Sequence, residues 1–390
     1  MRSISEDEAA QLAMQLKTIA KRPHSLCKDK GLTVVSLPYG LVEKYLFNLH
    51  PLIGFADENA QIVALDALAK LEANQKMVTL RQLEEAGTLN VRIYRPGQYR
   101  EYRTASSEVR ATIPPTARYL FASKFGKMGR LAFEILSEDG KHLRLRIRGT
   151  HLEITVSRSK VLPSLRSYSG VDVMDMTDRT ESVIADEEAI PEDKAKLLGL
   201  RRDSLKLAVR DIKAAYRDIA GTVLLIYKVQ IPSPGLYWIG YFSKKPVLTT
   251  DWYSVKLTSD DADYAKILTV WVNSLFGIIQ VLALRPEVRA AWSRLDKRTV
   301  WNHFLVPDPK AISAKDRRAL LACFNSVSKS NAPPLHIRLK ERHQFQRLID
   351  TTVLDVFFKN VKVLETEQTY ESLYNELSSL LKLTGVRTRR

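Results

Sequence analysis

The chain has 390 residues, of which 45% are hydrophobic and 27% are charged, a composition that excludes an intrinsically disordered chain and predicts two or three domains. Lysine and arginine number 60 against 44 acidic residues, so the formal net charge is +16 at pH 7. A positive field of this size attracts polyanions. We therefore expect nucleic acid as the partner, with an acidic protein as the alternative.

The residue types that carry catalysis or bind metals form no recognisable motif in this sequence. Cys27 and Cys323 lack the spacing of metal ligands, and the histidines are scattered along the chain. The sequence has no nucleophile elbow, no paired-histidine motif and no phosphate-binding loop. We expect a protein that is not an enzyme, holds no metal or cofactor of its own, and works in a reducing, cytoplasmic compartment.

Helical and extended patterns alternate in the first hundred residues. Residues 6–22, 58–73 and 79–86 have the apolar spacing of helices. Residues 32–38 and 89–94 are rich in β-branched and apolar types and are predicted strands.

The clearest β pattern begins at residue 142. Leucine and isoleucine alternate with arginine over residues 142–148. Over residues 152–157, apolar residues alternate with polar ones. With a two-residue turn at 149–150, the pattern predicts a hairpin that has one buried face. Its other face carries arginines that are candidate phosphate contacts or, alternatively, cross-strand partners of Glu153. These arginines are Arg144, Arg146 and Arg148.

A basic helix is predicted at residues 195–219, directly after an acidic segment, 178–193, where we expect a domain boundary. Cations recur along this helix at helical spacing and could form one phosphate-binding stripe. The alternative is a solvated face balanced by Asp203 and Asp211. The stripe consists of Arg202, Lys206, Arg210, Lys213 and Arg217.

The second half of the chain begins with strands and ends with helices. Strands are predicted at residues 223–231, 235–242 and 252–257. Residues 263–284 are apolar enough to span a bilayer, but a lysine, an asparagine and a glutamine among them would be costly in lipid. We therefore predict one helix buried in protein and no membrane partner. Further helices are predicted at residues 314–328, 341–359 and 367–383.

Three weaker patterns have alternative interpretations. The acidic cluster of Asp260, Asp261 and Asp263 could hold a cation, but helix capping explains it more simply. The glycine-bounded loop 126–129 is similar to the backbone clamp of KH modules, or it is an ordinary basic turn. Residues 331–335 resemble the Asn-Pro-Pro-aromatic motif of adenine-amino methyltransferases, but an alanine is inserted and leucine replaces the aromatic residue, so they are predicted as a Pro-Pro loop.

An ordered series of features between residues 252 and 309 resembles a known family. The series is a short strand, a capped helix, the sequence VWVNSLFG at 270–277, RPE at 285–287 and LVPDP at 305–309. This order is similar to the region that follows the catalytic domain in N-6 adenine DNA methyltransferases of type I and related restriction-modification and phage-defence systems. Looser similarities extend it to residues 35–38, 45–55, 165–170, 174–177, 347–354 and 374–378.

The resemblance implies a specificity subunit with a target-recognition domain. The catalytic motifs of that family are missing from this sequence. Methyl transfer and S-adenosylmethionine are therefore expected in a partner chain, a catalytic adenine methyltransferase subunit, while this chain holds double-stranded DNA. The alternatives are an RNA-binding adaptor, built on the basic hairpin and the loop 126–129, and a structural scaffold of a defence complex.

The expected fold is α+β, with a mixed strand and helix recognition domain flanked by helical segments. The predicted divisions are an N-terminal α+β domain with the basic hairpin (1–185), an acidic linker and basic helix (186–222), a recognition-like α+β domain with the buried helix (223–310), and a C-terminal helical region (311–390).

Candidate site residues follow from these assignments. Cations on the hairpin, on the basic helix and in two later loops are the predicted DNA contacts, and apolar residues of the C-terminal helices are predicted to dock on the partner subunit or to pack in their own domain. The predicted DNA contacts are Arg144, Arg146, Arg148, Arg202, Lys206, Arg210, Lys213, Lys244, Lys245, Arg289, Arg294 and Arg298. The predicted partner contacts are Leu354, Phe357, Leu377 and Leu380.

Overall fold

The structure is a computed structural model that describes residues 63–94, 99–104, 107–112, 115–124, 133–166, 170–229, 233–250, 252–259, 261–284, 293–294 and 302–358. Helices and a mixed sheet are both extensive in these residues, so the predicted α+β class is confirmed. The elements predicted at 6–22, 32–38 and 367–383 lie outside the described residues.

The elements follow one another in an irregular α and β order. The helices are α1 (Val63–Ala73), α2 (Leu80–Glu85), α3 (Glu192–Leu197), α4 (Arg202–Ile219), α5 (Ala262–Asn273), α6 (Leu275–Leu284), α7 (Ala314–Val327), α8 (Leu335–Lys340) and α9 (Gln344–Phe357). The strands are β1 (Met77–Thr79), β2 (Leu89–Arg92), β3 (Tyr99–Thr104), β4 (Ser107–Thr112), β5 (Phe121–Ser123), β6 (Phe133–Glu138), β7 (His142–Ile147), β8 (Glu153–Ser157), β9 (Val161–Leu165), β10 (Glu181–Ile184), β11 (Gly221–Ile226), β12 (Lys228–Val229), β13 (Gly240–Thr249), β14 (Trp252–Leu257), β15 (Ser293–Arg294) and β16 (Leu305–Pro307).

A ten-stranded mixed sheet organises the described residues. Its spatial order is β2-β14-β11-β13-β9-β10-β5-β6-β7-β8, with parallel pairing between β13 and β9 and between β5 and β6. The sheet crosses the boundary predicted near residue 186. Strand β10 comes from the acidic segment 178–193, yet it is buried between β9 and β5. Four buried residues of the segment in which the boundary is expected, Glu181–Ile184, are therefore part of the sheet.

Two apolar clusters cover different parts of the sheet. The larger cluster joins α1, α5, α6, α7 and α9 to β2, β11, β13 and β14. The smaller cluster joins α3 and α4 to β6, β7, β8 and β10. Helices α4 and α5 both pack against β13, and their buried side chains belong to different clusters. Strand β13 is thus the element that connects the two cores.

The predicted hairpin at 142–157 is confirmed, because β7 and β8 pair antiparallel with their apolar residues buried on one face. Its turn is longer than predicted. The Ile147 N–H donates to the Leu152 carbonyl over 2.9 Å, and the Thr150 N–H donates to the Ile147 carbonyl over 3.1 Å. Residues 148–151 therefore form a four-residue connection rather than a two-residue turn.

The long apolar segment predicted as one helix is two helices, α5 and α6, bent by 67°. Ser274 between them has extended backbone angles (φ −73°, ψ 165°), which interrupt the helical hydrogen bonds. The first N–H of α6, on Leu275, donates instead to the buried Asp350 carboxylate over 2.8 Å. Gly277 is required at this bend, because a Cβ there would lie 2.3 Å from the Val272 carbonyl oxygen.

Asn273 connects this bend to the central sheet. Its Oδ1 accepts from the N–H groups of Ile239 (2.8 Å) and Gly240 (3.2 Å). Its Nδ2 donates to the carbonyls of Gly240 (2.7 Å) and Thr269 (2.9 Å). Every polar atom of this fully buried amide is therefore paired, and the residue holds α5 against the start of β13.

A buried arginine fastens α8 and α9 to the same core. The Arg338 guanidinium lies 3.8 Å from the centre of the Trp238 ring and donates to Gln346 Oε1 over 2.9 Å. The Gln346 amide donates in turn to Asp350 over 3.0 Å. Because these groups are fully buried and hydrogen-bonded to each other, they orient α9 against the bend between α5 and α6.

The strand predicted at 235–242 begins only at Gly240, and it continues past Pro246 to Thr249. The reason is an irregularity in the pairing of β13 with β11 that takes Pro246 out of the ladder. A proline at such a position leaves no ladder hydrogen bond unmade.

Within the described ranges, no single helix has both the length and the apolarity needed to cross a membrane; the bent pair of α5 and α6 reaches them only when the two helices are taken together. Both helices of this pair are largely buried inside the larger cluster.

Replacement of the buried amide tests the role of Asn273. The variant Asn273→Ala removes the acceptor of two backbone N–H groups, those of Ile239 and Gly240. We therefore expect it to lower the free energy of unfolding by about 2–4 kcal/mol. Chemical denaturation monitored by circular dichroism measures this loss. The control Asn325→Ala removes an exposed amide from α7 and should change stability by less than about 0.5 kcal/mol. Equal effects of the two variants would contradict the assignment.

Glu181 is the one acid that β10 contributes to the buried centre of the sheet. Its carboxylate accepts from the Ser123 hydroxyl and, over 3.1 Å, from the Arg166 N–H. Burial is the largest effect on this group and raises its pKa above the ordinary value of 4.5, although the two hydrogen bonds oppose the shift.

The raised pKa of Glu181 predicts a specific pH dependence. The folded protein binds the proton more tightly than the unfolded chain, so the stabilising effect of protonation is complete at low pH and is lost as pH rises through the folded-state pKa. We expect wild-type stability to fall relative to Glu181→Gln as pH increases above the ordinary value of 4.5. Denaturation at a series of pH values measures the difference, with Glu341→Gln as an exposed control. Parallel profiles for wild type and Glu181→Gln would refute the assignment.

Candidate nucleic-acid interface

Helix α4 carries the predicted stripe of cations, and all five side chains are exposed. At 3.6 residues per turn they lie within about 80° of the helix circumference, so they form one row. The helix is shorter than the predicted 195–219, because Gly199 has a positive φ of 67° and ends α3 separately. The α4 basic row consists of Arg202, Lys206, Arg210, Lys213 and Arg217.

The opposite face of α4 explains why this row points outward. Leu205, Val209 and Ile212 are buried in the smaller cluster. Asp211 is 6% exposed and accepts a hydrogen bond from the buried Tyr94 hydroxyl over 2.7 Å. The alternative interpretation of the helix, a solvated face of balanced charges, needed Asp211 beside the cations. The structure turns this acid to the interior, so only Asp203 of that pair remains exposed.

The middle of the row has no acidic partners among the residues that the structure describes. In the part of the chain that the structure describes, no carboxylate lies within ion-pair distance of Lys206, Arg210 or Lys213. The two ends differ: the Arg202 guanidinium donates to the Glu187 carbonyl over 3.0 Å, and Arg217 pairs with Asp218 over 2.8 Å. Three adjacent cations are therefore available to an external anion.

A lysine that sequence reasoning missed extends the positive surface at the end of α4. The exposed Lys256 of β14 donates from Nζ to the Arg217 carbonyl over 2.7 Å. A cation at this position also interacts favourably with the negative end of the helix dipole. No local pattern identifies this residue, because it is 39 positions from Arg217 and only the sheet brings the two together.

The irregular part of β13 brings a second predicted pair of cations to α4. Lys244, Lys245 and Pro246 are exposed within this otherwise buried strand. The Tyr216 hydroxyl of α4 donates to the Pro246 carbonyl over 2.9 Å. The structure therefore places Lys244 and Lys245 next to α4, although the sequence offered no reason to group them with its cations.

The hairpin arginines form a different region. Arg144 pairs with Glu153 over 2.6 Å, as the alternative interpretation predicted, and Arg146 lies 3.7 Å from Glu134. Arg148 is exposed in the connecting loop. Arg144 and Arg146 alternate along β7 with Leu143 and Leu145, which are buried in the smaller cluster together with α4. The two arginines therefore lie on the sheet face opposite to α4 and do not join its basic row.

The remaining predicted site residues divide between buried and undescribed positions. Phe357, predicted as a partner contact, is instead buried with its ring 5.4 Å from that of Trp271, because α9 packs on the larger cluster. Leu354 is half-buried against the same cluster. Arg294 lies in β15, which pairs with β12, and its side chain is outside the described part. Also outside it are Arg289, Arg298, Leu377 and Leu380.

The described acids of the predicted cluster, Asp261 and Asp263, act in helix capping and ion pairing. Asp261 begins α5 by accepting the Tyr264 N–H over 2.9 Å, which confirms the predicted cap, and Asp263 pairs with Lys266 over 3.5 Å.

Across the described ranges, no three histidine, cysteine, aspartate or glutamate side chains group as metal ligands would. Burial raises the pKa of the Cys323 thiol to about 11, which keeps this sulfur protonated at neutral pH.

Comparisons with known proteins return one distant likeness. No family model matches the chain, and no curated protein matches it. Among solved structures, the chain is similar to the type IIG restriction endonuclease BpuSI, with a TM-score of 0.46 and 13% sequence identity over 83% of this chain and 33% of that one. The chain thus spans about a third of that enzyme's length, and the likeness concerns the shape of the backbone alone.

The repulsion between neighbouring cations in the middle of the row predicts a stability cost that can be measured without any ligand. Arg210 has like charges four residues before it and three residues after it, and each such pair destabilises a helix by roughly 0.2–0.5 kcal/mol. We expect Arg210→Gln to raise the free energy of unfolding by about 0.4–1 kcal/mol at low ionic strength, and added salt to erase the gain.

Arg179→Gln is the matched control, because Arg179 is equally exposed but lies in a loop. Its substitution should leave stability nearly unchanged at every salt concentration. If Arg210→Gln failed to stabilise the protein at low salt, the predicted repulsion within the row would be wrong, and acidic groups outside the described residues would have to neutralise these cations.

Proposed function

We propose that this chain binds double-stranded DNA through the α4 basic row, as the specificity subunit of a restriction-modification or phage-defence system. The observation that carries the proposal is a set of three adjacent, exposed cations that have no acidic partner among the described residues, Lys206, Arg210 and Lys213. An arrangement that costs helix stability is expected where binding requires it.

The dimensions of the row suit a duplex. Arg202 and Arg217 are separated by fifteen residues of helix, or about 22 Å, over which one strand of B-DNA presents about six phosphates. The cations are fixed on a rigid helix whose other face is anchored in the smaller cluster. Such a row supports phosphate contacts that set the register of the protein on DNA, while contacts to base edges come from other residues.

A separate catalytic chain completes the proposal. Among the described residues of the series that resembles N-6 adenine DNA methyltransferases, Trp271 Nε1 donates to the Leu305 carbonyl over 2.8 Å, which ties α5 to β16 as part of the protein core. We therefore assign methyl transfer, and the S-adenosylmethionine that supplies the methyl group, to a partner subunit. This chain would position the duplex so that the partner reaches an adenine.

An RNA-binding adaptor is the second candidate, and Tyr119 is the observation in its favour. This tyrosine is 40% exposed in the segment Pro115–Leu120, which packs against α4. An exposed ring beside a basic surface is what stacking with an unpaired base requires. Against this candidate, the hairpin on which it was based has its arginines Arg144 and Arg146 close to acids.

Neutralisation of the unpaired cations tests the proposal. The triple variant Lys206→Gln/Arg210→Gln/Lys213→Gln removes three phosphate contacts, so the slope of log affinity against log salt should decrease in magnitude by about 2.7, and binding should weaken uniformly across duplex sequences. Fluorescence anisotropy with a labelled duplex of about three helical turns measures both quantities.

The control Lys315→Gln/Arg318→Gln/Lys329→Gln removes the same charge from exposed positions on and just after α7. It should keep nearly all of the wild-type affinity and slope. A triple α4 variant that binds the duplex like this control would overturn the proposal. Tighter binding of single-stranded RNA than of duplex DNA, with a loss of RNA binding in Tyr119→Ala, would favour the adaptor instead.

A further inference from the structure

The exposed part of β13 is an extended bulge. Val223 of β11 pairs with Phe242, and Gly221 pairs with Val247, so one residue of β11 faces four residues of β13. Ser243 remains buried, while the next three residues leave the sheet and are exposed. Bulges redirect side chains away from a ladder, and this one directs two consecutive lysines to solvent. We call residues 243–246 the β13 bulge.

One anchor of the bulge comes from α4. The Tyr216 hydroxyl donates to the Pro246 carbonyl over 2.9 Å. Burial raises the pKa of the Tyr216 phenol, so it keeps its proton and remains a donor. Tyr216 lies between Lys213 and Arg217 in sequence, and its hydrogen bond therefore fixes the end of the bulge relative to the α4 basic row.

The second anchor comes from the opposite side, at Thr177. The Lys244 N–H donates to Thr177 Oγ1 over 3.0 Å. The same hydroxyl donates its only proton to the Asp175 carboxylate, which also accepts the Thr177 N–H over 3.1 Å. Because the proton is directed to Asp175, an oxygen lone pair is free to accept from Lys244.

The segment that carries Thr177 is itself held against β13. The Phe242 N–H donates to the Met174 carbonyl over 3.0 Å, and the Met176 N–H donates to the Phe242 carbonyl over 2.8 Å. Residues 174–177 are one of the segments that resemble the methyltransferase family. Their role in the structure is to hold the base of the bulge.

We propose that Tyr216 and Thr177 are positioning residues that hold Lys244 and Lys245 on the same surface as the α4 basic row, so that the bulge and the helix contact one duplex together. The inference rests on the proposed function. Among the described residues, neither lysine has a carboxylate within ion-pair distance, so a bulge anchored on both sides presents two uncompensated charges. Because the bulge is already anchored in the free protein, its backbone loses less conformational entropy when the lysines bind DNA.

A double-mutant cycle tests this coupling. Four proteins are compared: wild type, Tyr216→Phe/Thr177→Val, Lys244→Gln/Lys245→Gln, and the combined variant. The probe is a mixed-sequence DNA duplex of about 30 base pairs at low ionic strength. Loss of the two lysines should reduce the salt slope by about 1.8, and loss of the two anchors should weaken binding by about 3–10-fold in the wild-type background.

The decisive measurement is the change in duplex affinity that the anchor substitutions cause when Lys244 and Lys245 have already been replaced. We expect Tyr216→Phe/Thr177→Val to cause no further loss in the Lys244→Gln/Lys245→Gln background, because the anchors act only through those lysines. Thr177→Ser, which keeps the hydroxyl, should bind like wild type where Thr177→Val does not. Equal losses in both backgrounds, or wild-type binding by Lys244→Gln/Lys245→Gln, would overturn the inference.

The outcomes separate this inference from the proposed function. If the triple α4 variant loses duplex binding while all bulge variants bind like wild type, the inference fails and the proposed function stands. If wild type does not bind the duplex, both fail. Denaturation midpoints of the four proteins identify any variant that is unfolded, and in that case the single substitutions Thr177→Val and Lys245→Gln replace the double ones in the cycle.

Discussion

The hydrogen bond between Tyr94 and Asp211 is the contact on which the basic surface depends. It draws the central acid of α4 into the smaller core and, with the apolar residues on the same face, fixes the rotation of the helix. The cations on the other face are left with few acids to neutralise them. A helix rotated so that Asp211 faced solvent would carry an ordinary mixture of charges, and the positive field of the chain would have no concentrated site.

Local patterns in the sequence were enough to predict much of the fold. Alternation predicted the hairpin of β7 and β8, helical spacing predicted α7 and the row on α4, and the acid before α5 predicted its cap. These features depend on residues a few positions apart, whose side-chain periodicity is visible in a single chain. The alternative of cross-strand pairing was also visible there, since Arg144 and Glu153 are close in sequence.

The features that could not be predicted depend on contacts between distant residues. Strand β10 was not predicted, because the residues around it are acidic and polar. The bend after Asn273 depends on a hydrogen bond to the distant Asp350. Lys256 contacts α4 only because the sheet brings the two together. The grouping of the β13 bulge with α4 likewise requires the hydrogen bond from Tyr216 to Pro246. Propensity and periodicity carry no information on such pairings, so the sequence groups the cations of one helix but not cations that come from distant segments.

Lysine footprinting on the protein–DNA complex tests most directly whether α4 and the bulge form one duplex-binding surface. Acetylation of each lysine is measured by mass spectrometry with and without a saturating duplex. If α4 and the bulge form one surface, Lys206, Lys213, Lys244 and Lys245 are protected together by the duplex, and the acetylation of exposed lysines such as Lys315 is unchanged. Protection that leaves the lysines of α4 as reactive in the complex as in the free protein would contradict it.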